Sequence, residues 1–154
     1  RTAILLNAPA LADIKDWPMV IDVDEQFYFK PDAGQILLSP ADETPSLPCD
    51  AQPEELDIAI AMDRFLAVVD LDIKSINHSW AGLRTFAPDK TFVVGFDPIA
   101  KGFFWLAGQG GYGVQSSPGM SQLARHLILQ SALPTGYERI KASVEAVSPT
   151  RFSS

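Results

Sequence analysis

Gly108-Gln109-Gly110-Gly111-Tyr112-Gly113 has the spacing G-x-G-x-x-G and lies between an apolar run, Phe103-Phe104-Trp105-Leu106-Ala107, and a helical pattern opening at Pro118. Glycines in such a turn let the backbone come close to a ligand and aim free N–H groups at electron-rich atoms. Ordered glycine is entropically costly, so the loop needs a reason. A dinucleotide fingerprint would need strand, loop, helix and a second parallel strand within about 30 residues, with an acidic residue about 20 positions on for a ribose hydroxyl. Here the helix runs into Leu133-Pro134-Thr135-Gly136 and a further helical pattern, and Glu138 is not at a strand end. A self-contained Rossmann turn and a Gly-rich connection with no ligand are thus the weaker readings of this loop.

A second cluster begins at Ile73, where the pattern changes to period two. Ile76, His78, Trp80, Gly82 and Arg84 fall on one face, and Ser75, Asn77, Ser79, Ala81 and Leu83 on the other. A strand with His, Trp and Arg on one side is not an ordinary core strand. Metal chemistry has little material: Cys49 is the sole cysteine, and His78 and His126 are the only histidines. One cysteine also excludes an internal disulfide, and Cys49 reads as a packed or loop thiol.

The elements that must position these residues follow from local signals. Thr2-Ala3-Ile4-Leu5-Leu6-Asn7 reads as a buried strand, and Met19 to Val23 as a further run. Gln26-Phe27-Tyr28-Phe29-Lys30 and Gln35-Ile36-Leu37-Leu38-Ser39 flank Pro31-Asp32-Ala33-Gly34 and predict a β-hairpin. After a proline-rich loop over 40–52, helix signals gather. Asp50 or Gln52 stands near the cap, Pro53 in the first turn, Glu54 and Glu55 at the positive end, and Leu56, Ile60, Phe65 and Leu66 are apolar positions running to Val69. Short strands at 91–96 and 103–107 continue an antiparallel pattern. Beyond the glycine loop, Ser116 or Ser117 can cap a helix with Pro118 in its first turn and Met120, Leu123, Ala124, Leu127 and Ile128 as its stripe. A weaker helix spans 137–147. The expected class is α+β, with a mainly antiparallel sheet and packed helices.

With 154 residues and 47% hydrophobic content, the chain can bury one substantial core, as a single domain or a piece of a larger one. Its formal charge is −7: residues 1–60 hold twelve acidic residues against Arg1, Lys15 and Lys30, and 61–154 hold seven against nine. An acidic face of this kind disfavours nucleic acid as a partner. No apolar run approaches the roughly 20 residues of a membrane span, and no secretory leader opens the chain. The expectation is a soluble, cytoplasmic protein.

Taken together, Trp80-Ala81-Gly82-Leu83-Arg84, Pro88-Asp89, Val94-Gly95 and Gly108-Gln109-Gly110-Gly111-Tyr112-Gly113-Val114 with its helix resemble the C-terminal half of the FAD-dependent D-amino-acid oxidase, glycine oxidase and sarcosine oxidase superfamily. Phe27-Tyr28-Phe29-Lys30-Pro31, Gly34 and Leu37-Leu38-Ser39-Pro40 are similar to the preceding hairpin of these enzymes, and Pro149-Thr150-Arg151-Phe152 to their ending. The resemblance covers essentially the whole chain.

It implies a substrate-binding domain over 1–102 and, over 103–154, a strand, Gly loop and helices belonging to the FAD domain. It also implies that backbone N–H groups at Gly110, Gly111, Tyr112, Gly113 and Val114, with the positive helix end, face the electron-rich edge of a non-covalently held flavin. Arg84 would grip the carboxylate of a small amino-acid substrate through two parallel hydrogen bonds. Otherwise it is a surface residue paired with Asp89. Tyr28 and Tyr112 would border the substrate pocket, or else belong to the core. His78 would act on substrate or merely complete a hydrogen-bond network. The N-terminal nucleotide-binding half of the family finds no match here, so the chain is expected to be a fragment or subunit, inactive alone. The competing expectation is a non-catalytic α+β module that dimerises or binds a partner through exposed apolar surface.

Overall fold

The computed structural model describes residues 1–9, 13–133 and 141–153. The chain divides into two compact units, Arg1–Leu83 and Arg84–Ser154.

In the first unit β1 (Thr2–Leu6), β2 (Val20–Ile21), β3 (Tyr28–Asp32), β4 (Gln35–Ser39) and β5 (Ile76–Ala81) form one sheet in the order β2-β3-β4-β1-β5. Every pairing in it is antiparallel. The hairpin is tighter than predicted. Strand pairing continues to Pro31 opposite Ile36 and Asp32 opposite Gln35, leaving Ala33 and Gly34 as a two-residue connection. Both have positive φ, 48° and 82°, which matches the twist of the flanking strands. Pro31 is tolerated because β2 pairs only with Tyr28 and Phe29, so no ladder bond is required of the proline on that side.

Paired residues share a face, so the register sorts the sheet into two surfaces. Ile4, Leu6, Phe29, Ile36 and Leu38 point to the core, where α1 (Glu55–Val68) adds Ala61 and Phe65. Phe29 and Phe65 meet edge to face at 5.0 Å. Helix α1 starts later than predicted: Glu54 is its N-cap and Pro53 lies outside it. Its buried stripe is Ile58, Ala61, Met62 and Phe65, continued by Val69, whereas Leu56 and Leu66 are exposed. The helix is rotated so that the i, i+3, i+4, i+7 set beginning at Ile58 meets the sheet.

In the second unit β6 (Val93–Phe96) and β7 (Phe104–Ala107) form an antiparallel pair. The turn between them is held by Asp97, which accepts the N–H groups of Ile99 and Ala100 and the indole N–H of Trp105. These bonds, that to Ala100 first, pull its carboxyl below the usual carboxylate range. Val94 is buried against Leu123 and Ala124 of α2 (Gly113–Leu129) and Val147 of α3 (Lys141–Val147). Met120 and Leu127 complete this stripe, and Ile128 is exposed. Residues 137–140 of the predicted last helix, and Pro134, Gly136 and Glu138, lie outside the described residues. A 3-10 turn, Pro149–Phe152, packs on β6. The fold is thus α+β with antiparallel sheets. No described helix is long and apolar enough to cross a membrane.

Candidate flavin-edge site

One glycine of the 108–113 loop, Gly110, is required by close approach, and a second, Gly111, lies against the tip of a side chain. A Cβ on Gly110 would lie 2.4 Å from Cε1 of Phe86, and its φ of 53° is itself disfavoured for side-chain-bearing residues. A Cβ on Gly111 would lie 2.9 Å from Nη1 of Arg84. The loop therefore lies directly against the 84–86 segment, and the Gly110 N–H donates to the Thr85 carbonyl at 3.0 Å. Arg84 and the glycine loop, far apart in sequence, meet within one unit.

Helix α2 begins inside the loop, with Tyr112 as N-cap and Gly113 as first residue, five positions before the expected start at Pro118. Pro118 sits within the helix and cannot donate to the Val114 carbonyl, the partner its N–H would have had. Ser117 fills the gap: its hydroxyl donates to Val114 O at 2.9 Å. Ser116 likewise donates to Tyr112 O at 2.7 Å. The serines expected as N-caps instead return bonds to carbonyls one turn back.

The earlier start changes which N–H groups are available. Gly110 gives its N–H to Thr85, and Tyr112 gives its own to Gln109 O at 3.0 Å. Gly111, Gly113, Val114 and Gln115 have no acceptor for theirs among the described residues. Gln115, missed in the sequence, joins the set because the helix opens at Gly113. No acidic residue occupies the first turn of α2, so the positive helix end is uncompensated. Val114 is 92% exposed at this end and Tyr112 is 48% exposed. Free N–H groups, a helix dipole and an apolar rim suit the electron-rich edge of a flat ring, so these residues fit one edge of a flavin.

Arg84 is exposed and lies past the end of β5, which stops at Ala81 instead of running to residue 84. It has no carboxylate partner among the described residues, since Asp89 pairs with Arg151 at 2.7 Å. A guanidinium held over glycine backbone with its charge unspent can take a carboxylate from outside the chain.

Tyr28 and His78 belong to the other unit and share the sheet face opposite its core. Tyr28, half-buried, pairs with Ser39; His78, exposed, pairs with Leu5 and stacks on Trp80 at 5.7 Å. Cys49 is an exposed loop thiol. Phe86, which decides the shape of the loop, carried no local signal, because its contact with Gly110 spans 24 residues.

Comparison with known proteins gives the geometry a lineage. The FAD dependent oxidoreductase family matches residues 2–127. L-proline dehydrogenase from P. horikoshii is similar at 23% identity and a TM-score of 0.74, over 99% of this chain and 39% of its own. Iminodiacetate oxidase from Chelativorans sp. BNC1 is similar at 17% identity and a TM-score of 0.67, over 90% and 37%. The chain thus spans less than two-fifths of either protein's length. With the family match over most of its residues, and a loop whose open N–H groups suit a flavin edge, the chain belongs to the D-amino-acid-oxidase-type family of FAD dependent oxidoreductases.

Proposed function

We propose that this chain is the substrate-binding and C-terminal part of an FAD-dependent enzyme that oxidises the C–N bond of a small amino acid, with Arg84 as the carboxylate clamp. The single observation that carries the reading is the Arg84 guanidinium lying against Gly111 without a carboxylate partner among the described residues, beside the N–H groups of Gly111, Gly113, Val114 and Gln115, which likewise have no acceptor among them. FAD, when bound, supplies the acceptor for two electrons and a proton. Arg84 orients the substrate by its carboxylate, and the N–H groups with the α2 dipole stabilise negative charge where it collects at the reduced ring edge. Tyr112, the N-cap of α2 in the same unit, borders the substrate or supports Arg84. Both structural neighbours, L-proline dehydrogenase and iminodiacetate oxidase, are named for small nitrogen-containing acids, which favours this substrate class over a 2-hydroxy acid.

Arg84→Ala in the assembled enzyme tests the clamp. Loss of a bidentate, charge-assisted pair worth about 3 kcal/mol raises KM for a carboxylate substrate by about a hundredfold. An unchanged KM removes Arg84 from the site.

The chain by itself is expected to hold FAD poorly and to turn nothing over, because most of a dinucleotide envelope needs residues that do not match anything here. Stoichiometric yellow flavin in the purified chain would overturn that part. A second reading, a non-catalytic module that dimerises or captures a partner, is favoured by the exposure of Trp105 and Leu106 in β7 and of Phe103 just before it.

A further inference from the structure

We propose that Arg151, which touches neither the glycine loop nor its open N–H groups, is the positioning residue that holds the 108–113 loop in place by clamping the 3-10 turn Pro149–Phe152 onto the segment beside Gly108. Its role in ordering the loop stands independently of the flavin reading; its consequence for cofactor contact rests on that reading.

The guanidinium of Arg151 is spent in four directions. Nε donates to Asp89 Oδ2 at 2.7 Å and Nη2 to Asp89 Oδ1 at 3.1 Å, a bidentate fork. Nη2 also donates to the Thr91 carbonyl at 3.0 Å, and Nη1 to the Ser148 carbonyl at 2.9 Å. The group lies 4.2 Å from the Phe152 ring centroid. Exposed ion pairs usually contribute little. Here the arginine side chain is only 15% exposed, and two of its four acceptors are backbone carbonyls, so the contact fixes chain paths as well as charges.

Each end of the clamp is preformed. On one side Ser148 caps the 3-10 turn by accepting the Thr150 N–H, and buried Pro149 lies so close to Gly95 of β6 that a Cβ there would come within 2.9 Å of its Cδ. On the other side Asp89 accepts the Thr91 N–H, and Lys90 donates its N–H to Ala87 O, which closes a tight turn. That turn abuts the loop: a Cβ on Gly108 would lie 3.4 Å from Thr91 O and 3.5 Å from the Ala87 nitrogen. The same segment then supplies the Thr85 carbonyl and the Phe86 ring that seat Gly110. Residues 85–91 therefore line the loop along its length, and Arg151 holds their far end from 62 residues away.

Site-resolved amide hydrogen exchange on the flavin-free chain tests this, so failure of the flavin reading leaves the result intact. Arg151→Ala is expected to speed exchange of the Gly110 amide at least tenfold while the β6 amides, in the same unit, change less than twofold. Arg151→Lys keeps the charge but not the fork, and Asp89→Asn keeps the shape but not the charge; each is expected to speed Gly110 severalfold. Should Arg151→Ala not fold, these two variants decide. Unchanged Gly110 exchange overturns the proposal, and so does an increase shared equally by the β6 amides, which would mark a general loss of stability.

Discussion

At the scale of single residues, the site is governed by what glycine leaves open. At Gly110 an added methyl group meets both a disfavoured φ and the Phe86 ring. Gly110→Ala is therefore expected to destabilise the protein by about 2–3 kcal/mol. In a Phe86→Ala background the overlap disappears and only the backbone cost of about 1 kcal/mol remains; denaturant unfolding of the four proteins in this cycle checks it. Asp89 offers a pH test. Its carboxyl is held at about 2, below its ordinary 3.8, first by the Arg151 hydrogen bonds and then by the Thr91 N–H. A folded-state value below the unfolded one contributes stability above pH 4, and that contribution fades as pH falls from about 4 to about 2. Asp89→Asn should thus be less stable than the parent at pH 7, with the difference shrinking as pH falls from about 4 toward 2, as read by thermal unfolding across that range.

At the scale of elements, turn chemistry and helix starts decide where side chains stand. The two-residue β3–β4 connection places Ala33 at a φ of 48°, a conformation in which a Cβ is a burden. Ala33→Gly is expected to stabilise the protein by about 0.5–1 kcal/mol, seen as a raised Tm with unchanged secondary structure. Helix α2 shows the opposite balance. Pro118 is a strong start signal, yet the helix opens at Gly113 because the preceding turn already has helical geometry and Ser117 satisfies the carbonyl that proline abandons. That shift of five residues brings Gln115 into the set of open donors and moves the positive helix end into the loop itself.

At the scale of the whole molecule, apolar residues divide into two buried clusters, one in each compact unit, and an exposed remainder. The first strand, read from the sequence as buried, lies inside its sheet between β4 and β5, and Ile4 and Leu6 are fully buried. Exposed apolar residues occur in both units, and Phe103, Trp105 and Leu106 form one such group at β7. If that surface meets a second copy, the chain associates as its concentration rises, and Leu106→Lys abolishes the association; sedimentation velocity distinguishes this from a monomer. Association without bound flavin favours the interaction-module reading, whereas a monomer that gains yellow flavin only with a nucleotide-binding half favours the enzyme.

Much of this was written locally. The α+β class, the hairpin, the amphipathic α1 and α2 and the glycine loop follow from periodicity, turn residues and propensity, which act over a few residues. The order and spacing of Trp80 to Arg84, Pro88-Asp89 and the loop also carried the family. Three features needed the tertiary structure: the central place of β1, the pairing of Asp89 with Arg151 instead of Arg84, and the seating of Gly110 against Phe86 and Gly111 against Arg84. Each depends on contacts between residues more than twenty apart, or on which of two nearby cations reaches one carboxylate. Such choices are made by chain path and packing, which no short window of sequence contains.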